Sequence, residues 1–166
     1  MNELANWRRW IGEDPHPASH TEKGLSALGA FLGIFGVLVV SHGVLGEQGT
    51  ALIVTSMGAS AVLLFAAPHS PLSQPWPVLG RHLLSSAIGI TCVLFIHDVL
   101  TAAAVAVALS IAAMYYLRCL HPPGGAAALA VVLGGPGVHT LGYAYLVTPL
   151  LLNVLILLTV AMLFNA

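Results

Sequence analysis

The residues best equipped for chemistry lie in one stretch, Tyr116-Leu117-Arg118-Cys119-Leu120-His121-Pro122-Pro123-Gly124-Gly125-Ala126-Ala127-Ala128-Leu129. Arg118 brings a fixed positive charge. His121 brings an imidazole that can donate to an anion or carry a proton. Pro122 and Pro123 forbid a continuous helix, because neither offers an N–H and the first ring holds His121 in extended backbone. Gly124 and Gly125 admit a second backbone or a small ligand at close range. From Ala126 the chain can be helical, with a proline suited to the first turn. An extended segment that turns into a helix leaves free N–H groups at the junction, with the positive end of the helix dipole behind them, which is a means of holding an anion. The same residues also fit a plain loop between two helices.

Composition decides what must position this stretch. The 166 residues are 58% hydrophobic and 7% charged, with a mean hydropathy of +0.93. A soluble domain carries about 25% charged residues, so this chain could not cover a water-facing surface. It reads as an all-α, polytopic membrane protein with the lipid bilayer as its partner. The net charge of −1 gives no reason to expect nucleic acid. Cys92 and Cys119 sit in apolar context, without the Cys/His spacing of a metal site. No nucleophile–base pairing is visible either, although His82 and His97-Asp98 are the residues an intramembrane enzyme would draw on. The expectation is therefore a non-enzyme with no catalytic residues, metal or cofactor. Arg8, Arg9 and Lys23 precede an apolar run of about 20 residues, which suits an uncleaved span better than a signal core.

Two regions follow. Residues 1–23 hold most of the charge, and Leu4, Trp7, Trp10 and Ile11 recur at helical spacing beside Arg8 and Arg9, so this segment reads as cytoplasmic and interfacial. Ser19 and Glu22 fit a capping box for the helix that follows. Residues 24–166 read as a transmembrane region of about six spans. The first runs from about Gly24 to Val44, with Gly29, Gly33 and Gly36 favouring close helix packing in lipid. The second covers about Gln48 to Ala67, and its Leu52–Ser56 run could be extended or helical. Four prolines make Pro68–Pro77 a surface loop with Trp76 as an interface anchor. The third and fourth cover about Val78 to Ile96 and Val99 to Leu117. The fifth passes through the extended Cys119–Pro123 portion, and the sixth runs from about Leu141 to Phe164, bent near Thr148-Pro149. With the N-terminus inside, all five Lys and Arg fall on the cytoplasmic side, Arg81 being counted at the loop edge. Both termini are then cytoplasmic, in a plasma membrane such as the bacterial inner membrane. A homodimer or homotrimer is compatible with this reading.

Gly58-Ala59-Ser60-Ala61 resembles Gly125-Ala126-Ala127-Ala128, at an offset that also lays Ser86 on Asn153. Taken as a repeat, it divides the spans into two inverted units of three, with broken half-helices starting at Gly58 and Gly125, within Met57–Ser60 and Pro123–Ala126. Their N-termini then converge near the bilayer midplane around a small anion. The substrate-binding candidates are Met57, Gly58, Ala59, Ser60, His121, Pro123, Gly124, Gly125, Ala126 and Asn153, with backbone N–H groups as the main donors. Each side chain has a plainer role as well. His121 could cap its own turn, Asn153 could bond a neighbouring helix, and Ser60 could bond its own backbone.

His121-Pro122-Pro123-Gly124-Gly125-Ala126 resembles the signature of the HPP family of integral membrane proteins. Met57-Gly58-Ala59-Ser60-Ala61-Val62-Leu63-Leu64-Phe65 and Pro71-Leu72-Ser73-Gln74-Pro75-Trp76 also resemble that family's pattern, so the likeness covers roughly residues 24–164. Family members resemble nitrite transporters of photosynthetic organelles and cyanobacteria, which implies transport of nitrite or a similar small inorganic anion. Some bacterial members carry a cytoplasmic nucleotide-sensing (CBS) region, which is absent from this sequence. Arg81 departs from the pattern, standing where a glycine is expected. The competing reading is a membrane scaffold or sensor subunit that transports nothing.

Overall fold

The computed structural model describes residues 18–165, whose regular elements are all helices, with no strand among them. The amphipathic pattern around Trp7 and Trp10 lies outside the described residues. Helix α1 (His20–Glu47) starts at the expected capping box: Glu22 N–H donates to Ser19 Oγ at 3.2 Å and Ser19 N–H donates to Glu22 Oε2 at 2.6 Å. The first span thus begins four residues earlier than the boundary at residue 24. Gly46 breaks it with φ 67°, and α2 (Gly49–Ala66) runs back. A loop stiffened by Ser73, whose Oγ donates to the carbonyls of Leu63 and Ala67, leads to α3 (Pro75–Phe95). Asp98 caps α4 (Val99–Tyr116) by accepting from Thr101 N–H at 2.8 Å.

After α4 the chain is non-helical until α5 (Gly124–Val132), a helix of nine residues. At 1.5 Å per residue α5 is about 13.5 Å long, roughly half the hydrocarbon core. The short α6 (Gly135–Leu141), a 3-10 turn (Gly142–Leu146) and a π-helical turn (Val147–Leu151) lead into α7 (Leu152–Asn165). Among the described residues five helical stretches, rather than the six spans expected, are long and apolar enough to cross a membrane: α1, α2, α3, α4 and the run Gly135–Asn165; the expected fifth span is the nine-residue α5, too short to cross as a helix. Exposed Phe31, Phe35, Leu100 and Leu163 face outward, as lipid contact requires. This is an integral membrane protein.

The glycines of α1 make the close packing expected of them. A Cβ at Gly29 would lie 2.6 Å from the Phe65 ring, and one at Gly33 would lie 2.8 Å from Leu157. Asn165 Nδ2 donates to Leu64 C=O at 3.0 Å, and Phe164 meets Phe65 edge-on. The end of α7, the 67–74 loop and the Leu117–Pro123 segment therefore gather at one end of the bundle, called here the loop side.

One expectation is overturned. No helix begins near Met57: residues 57–60 sit within α2, which is helical from Gly49 to Ala66. Small residues are compatible with a helix interior, and lipid favours the conformation that pairs every N–H internally. The break falls instead at Gly46. The 58/125 correspondence thus pairs a mid-helix position with a helix start, and only Gly124 supplies a half-helix N-terminus.

Candidate anion site

Ser60 and Arg81 each lie less than two turns, about 9 Å, from the loop-side end of their helices. Both are fully buried. Arg81 Nη2 donates to Ser60 Oγ at 2.8 Å, and His82 Nε2 stands 3.1 Å from the same oxygen. His121 Nε2 approaches it at 3.3 Å from the segment after α4. Three separate parts of the chain thereby converge on one hydroxyl.

The proton count around that hydroxyl is restrictive. Ser60 Oγ can donate one hydrogen and accept two. It has four neighbours, because Ser56 C=O also lies within donor range at 3.0 Å. His121 Nδ1 faces Leu72 C=O, an obligate acceptor, so Nδ1 carries the hydrogen. In neutral His121 the Nε2 is then an acceptor and competes with Ser56 C=O for the single Ser60 proton. The same Leu72 bond ties His121 to the 67–74 loop and fixes its ring.

Among the described residues Arg81 is the side chain with the most unpartnered buried atoms. Its Nε and Nη1 have no hydrogen-bond partner, and neither has His82 Nδ1. The carboxylates among the described residues, Glu22, Glu47 and Asp98, are all exposed, so none pairs with it. A guanidinium stays charged in proteins, and burying an unpaired charge is costly. The start of α5 adds to the imbalance. Gly124 packs against the Arg81 stem so closely that a Cβ there would lie 2.9 Å from Arg81 Cδ and 2.7 Å from Met114. Gly124 N–H donates to His121 C=O at 2.9 Å, and the first helical bond runs from Ala127 N–H to Pro123 C=O. The N–H groups of Gly125 and Ala126 are left over in the first turn. A positive helix end beside an unpaired cation is repulsive by itself and attractive to an anion placed between them.

Residues 15–166 match the family described as HPP, transmembrane region. The chain belongs to the HPP family. It is 34% identical over 165 residues to one transmembrane protein of Dictyostelium discoideum, covering 96% of this chain and 53% of that one. A second Dictyostelium transmembrane protein is 32% identical over 173 residues, covering 99% of this chain and 60% of the relative. The HPP chain thus spans a little over half the length of these curated relatives. No solved structure matches.

The candidate residues separate into two groups. Ser60, His121, Pro123 and Gly124 come together around Arg81. Gly125 and Ala126 follow in the first turn of α5, and a Cβ at Gly125 would meet Val107 of α4 at 3.6 Å. Met57 is buried in the main apolar core, Gly58 is half-buried and Ala59 is exposed. Asn153 lies apart, about 18 Å along α7 from its loop-side end, where its Nδ2 donates to Ser41 Oγ of α1 at 2.7 Å. Arg118 is exposed in a left-handed turn with φ 53°.

Arg81 and His82 had been placed at the loop edge and among enzyme candidates. Both belong to the centre of the site, and the donor set includes a fixed charge as well as backbone N–H groups. The Pro68–Pro77 stretch is not a loop to its end: α3 starts at Pro75, with Pro75 and Pro77 in its first turn, which puts Arg81 in the second turn rather than at the loop edge. This also takes one cation out of the loop-edge charge tally.

Proposed function

We propose that this HPP protein binds a small monovalent inorganic anion, nitrite or one of similar size, beside Arg81 and carries it across the membrane. The observation that carries this reading is the buried, uncompensated guanidinium at the start of α5. One fixed positive charge calls for one negative charge, and the tight packing of Gly124 against the Arg81 stem and Met114 favours a small ion. Orphan donors on Arg81 and in the first turn of α5 supply hydrogen bonds that lipid cannot. The role is binding and passage, without a chemical step. Lys23 and Arg118 at the loop side support a cytoplasmic orientation for that end, and hence for both termini.

Purified protein in proteoliposomes tests the reading directly. Nitrite uptake should saturate, should exceed that of protein-free vesicles, and should be lost in Arg81→Gln. Flux equal to empty vesicles under both inward and outward pH gradients rejects transport and favours a scaffold role. Protein that neither binds nor moves nitrite, nitrate or formate rejects the anion site as well.

A further inference from the structure

Six hydroxyls in these helices, those of Thr50, Thr55, Ser56, Ser60, Thr91 and Thr140, donate to a carbonyl in the preceding turn. That is the usual resting place of a helical Ser or Thr. Ser85 and Ser86 on α3 and Ser110 on α4 do not follow it. All three residues are fully buried, and none of their Oγ atoms has a partner. Ser86 continues the line of His82, four residues before it, which leaves Ser85 and Ser110.

Their positions on the helices are related. On α3, Arg81, Ser85 and Gly89 fall on one line, four residues apart. On α4, Met114, Ser110 and Ala106 do the same, and all three are buried. Contacts with α5 pin the ends of both lines. Arg81 and Met114 meet Gly124, while a Cβ at Gly89 would lie 2.9 Å from Ala128 C=O. Ala106 belongs to the same apolar cluster as Ala128. Ser85 and Ser110 are therefore bracketed between the Gly124 and Ala128 levels of α5, in the wall shared by α3, α4 and α5. Beyond them the helices touch almost backbone to backbone at Gly89.

We propose that Ser85 and Ser110 form a second station for the anion, one helical turn beyond Arg81 between α3, α4 and α5. The inference rests on the anion reading of the Arg81 site and extends it to a route. An ion held by a buried guanidinium needs other donors before it can leave. Two neutral hydroxyls supply hydrogen bonds without a second charge that would trap it. The Gly89–Ala128 contact closes the path beyond this station, so the far-side exit opens only when α3 and α5 separate.

The test uses wild type, Ser85→Ala, Ser110→Ala and the double variant, with sodium nitrite and sodium nitrate as probes. Removing an unpartnered buried hydroxyl, as Ser→Ala does, takes away an unsatisfied polar atom, so all three variants should fold, with a Tm at or above that of wild type. Equilibrium binding in detergent should stay within about twofold of wild type, because Arg81 is untouched. Proteoliposome flux should fall at least about tenfold in the double variant and less in each single one, a 1.4 kcal/mol effect per factor of ten. Flux within twofold of wild type in the folded variants overturns the second station. A fall in binding that matches the fall in flux also overturns it, since the hydroxyls would then belong to the Arg81 site. Wild type that shows neither binding nor flux overturns the Arg81 reading and, with it, the route.

Discussion

Two of the buried polar clusters among the described residues differ in kind. Ser41 and Asn153 join α1 to α7 away from the loop side through a single neutral hydrogen bond of 2.7 Å. Ser60, Arg81, His82 and His121 join α2, α3 and the segment before α5 nearer the loop side. Both clusters are completely shielded from solvent. The first leaves one neutral acceptor, Asn153 Oδ1, unpaired. The second leaves a charged group unpaired beside the positive end of a helix. Burial of polar atoms is therefore not what marks a site here, since interhelical hydrogen bonds are an ordinary way of joining helices in lipid. Uncompensated charge is what distinguishes the Arg81 cluster.

That contrast can be broken by exchanging its terms. Arg81→Gln should weaken nitrite binding about a hundredfold, the scale of losing one partner of a buried charge pair, as measured by titration calorimetry. Binding unchanged within threefold would show that charge is not the distinguishing feature. Arg81→Met sharpens the point from the stability side. Without anion it should melt no lower than wild type, because an apolar side chain of similar length replaces an uncompensated buried charge. A lower Tm would mean that the guanidinium is satisfied in the free protein.

Gly124→Ala should come next, weakening binding about tenfold, since its Cβ must displace the Arg81 stem or Met114 and overpacking of this kind costs about 1–3 kcal/mol. Gly125→Ala is its control. That Cβ makes ordinary contact with Val107, so binding within twofold of wild type is expected, and an effect as large as that of Gly124→Ala would shift the centre of the site toward α4.

Asn153→Ala probes the other cluster. It should cost about 0.6 kcal/mol of stability, the typical worth of an interhelical hydrogen bond in a membrane bundle, and leave anion flux within twofold. Flux that falls with unchanged stability would make Asn153 part of the transport path and erase the contrast.

Much of the scaffold was legible before the fold was known. Charge scarcity named the lipid environment, Ser19 and Glu22 marked the start of α1, and Asp98 stood at the boundary between α3 and α4. His121-Pro122-Pro123-Gly124 announced a break followed by a helix, because two adjacent prolines leave no alternative. The supposed helix start at Met57 failed for a converse reason. Gly58-Ala59-Ser60 permits a break but does not force one, and the surrounding lipid and protein reward an unbroken helix.

The sequence alone therefore determined what is local or compositional: the membrane class, the apolar helices, the caps and the proline break before α5. Tertiary structure decided which side chains share a space. Ser60 and His121 are 61 positions apart and meet only because the segment before α5 is brought against α2, where the Leu72 carbonyl holds the imidazole. Arg81 could have sat at the loop edge or inside, and residue type does not choose between them. In a soluble helix an apolar stripe would have shown which face turns inward. In α3 the polar residues Arg81, His82, Ser85 and Ser86 lie on the buried face instead, so the inward face of α3, and with it the burial of Arg81, was set by packing against α4 and α5.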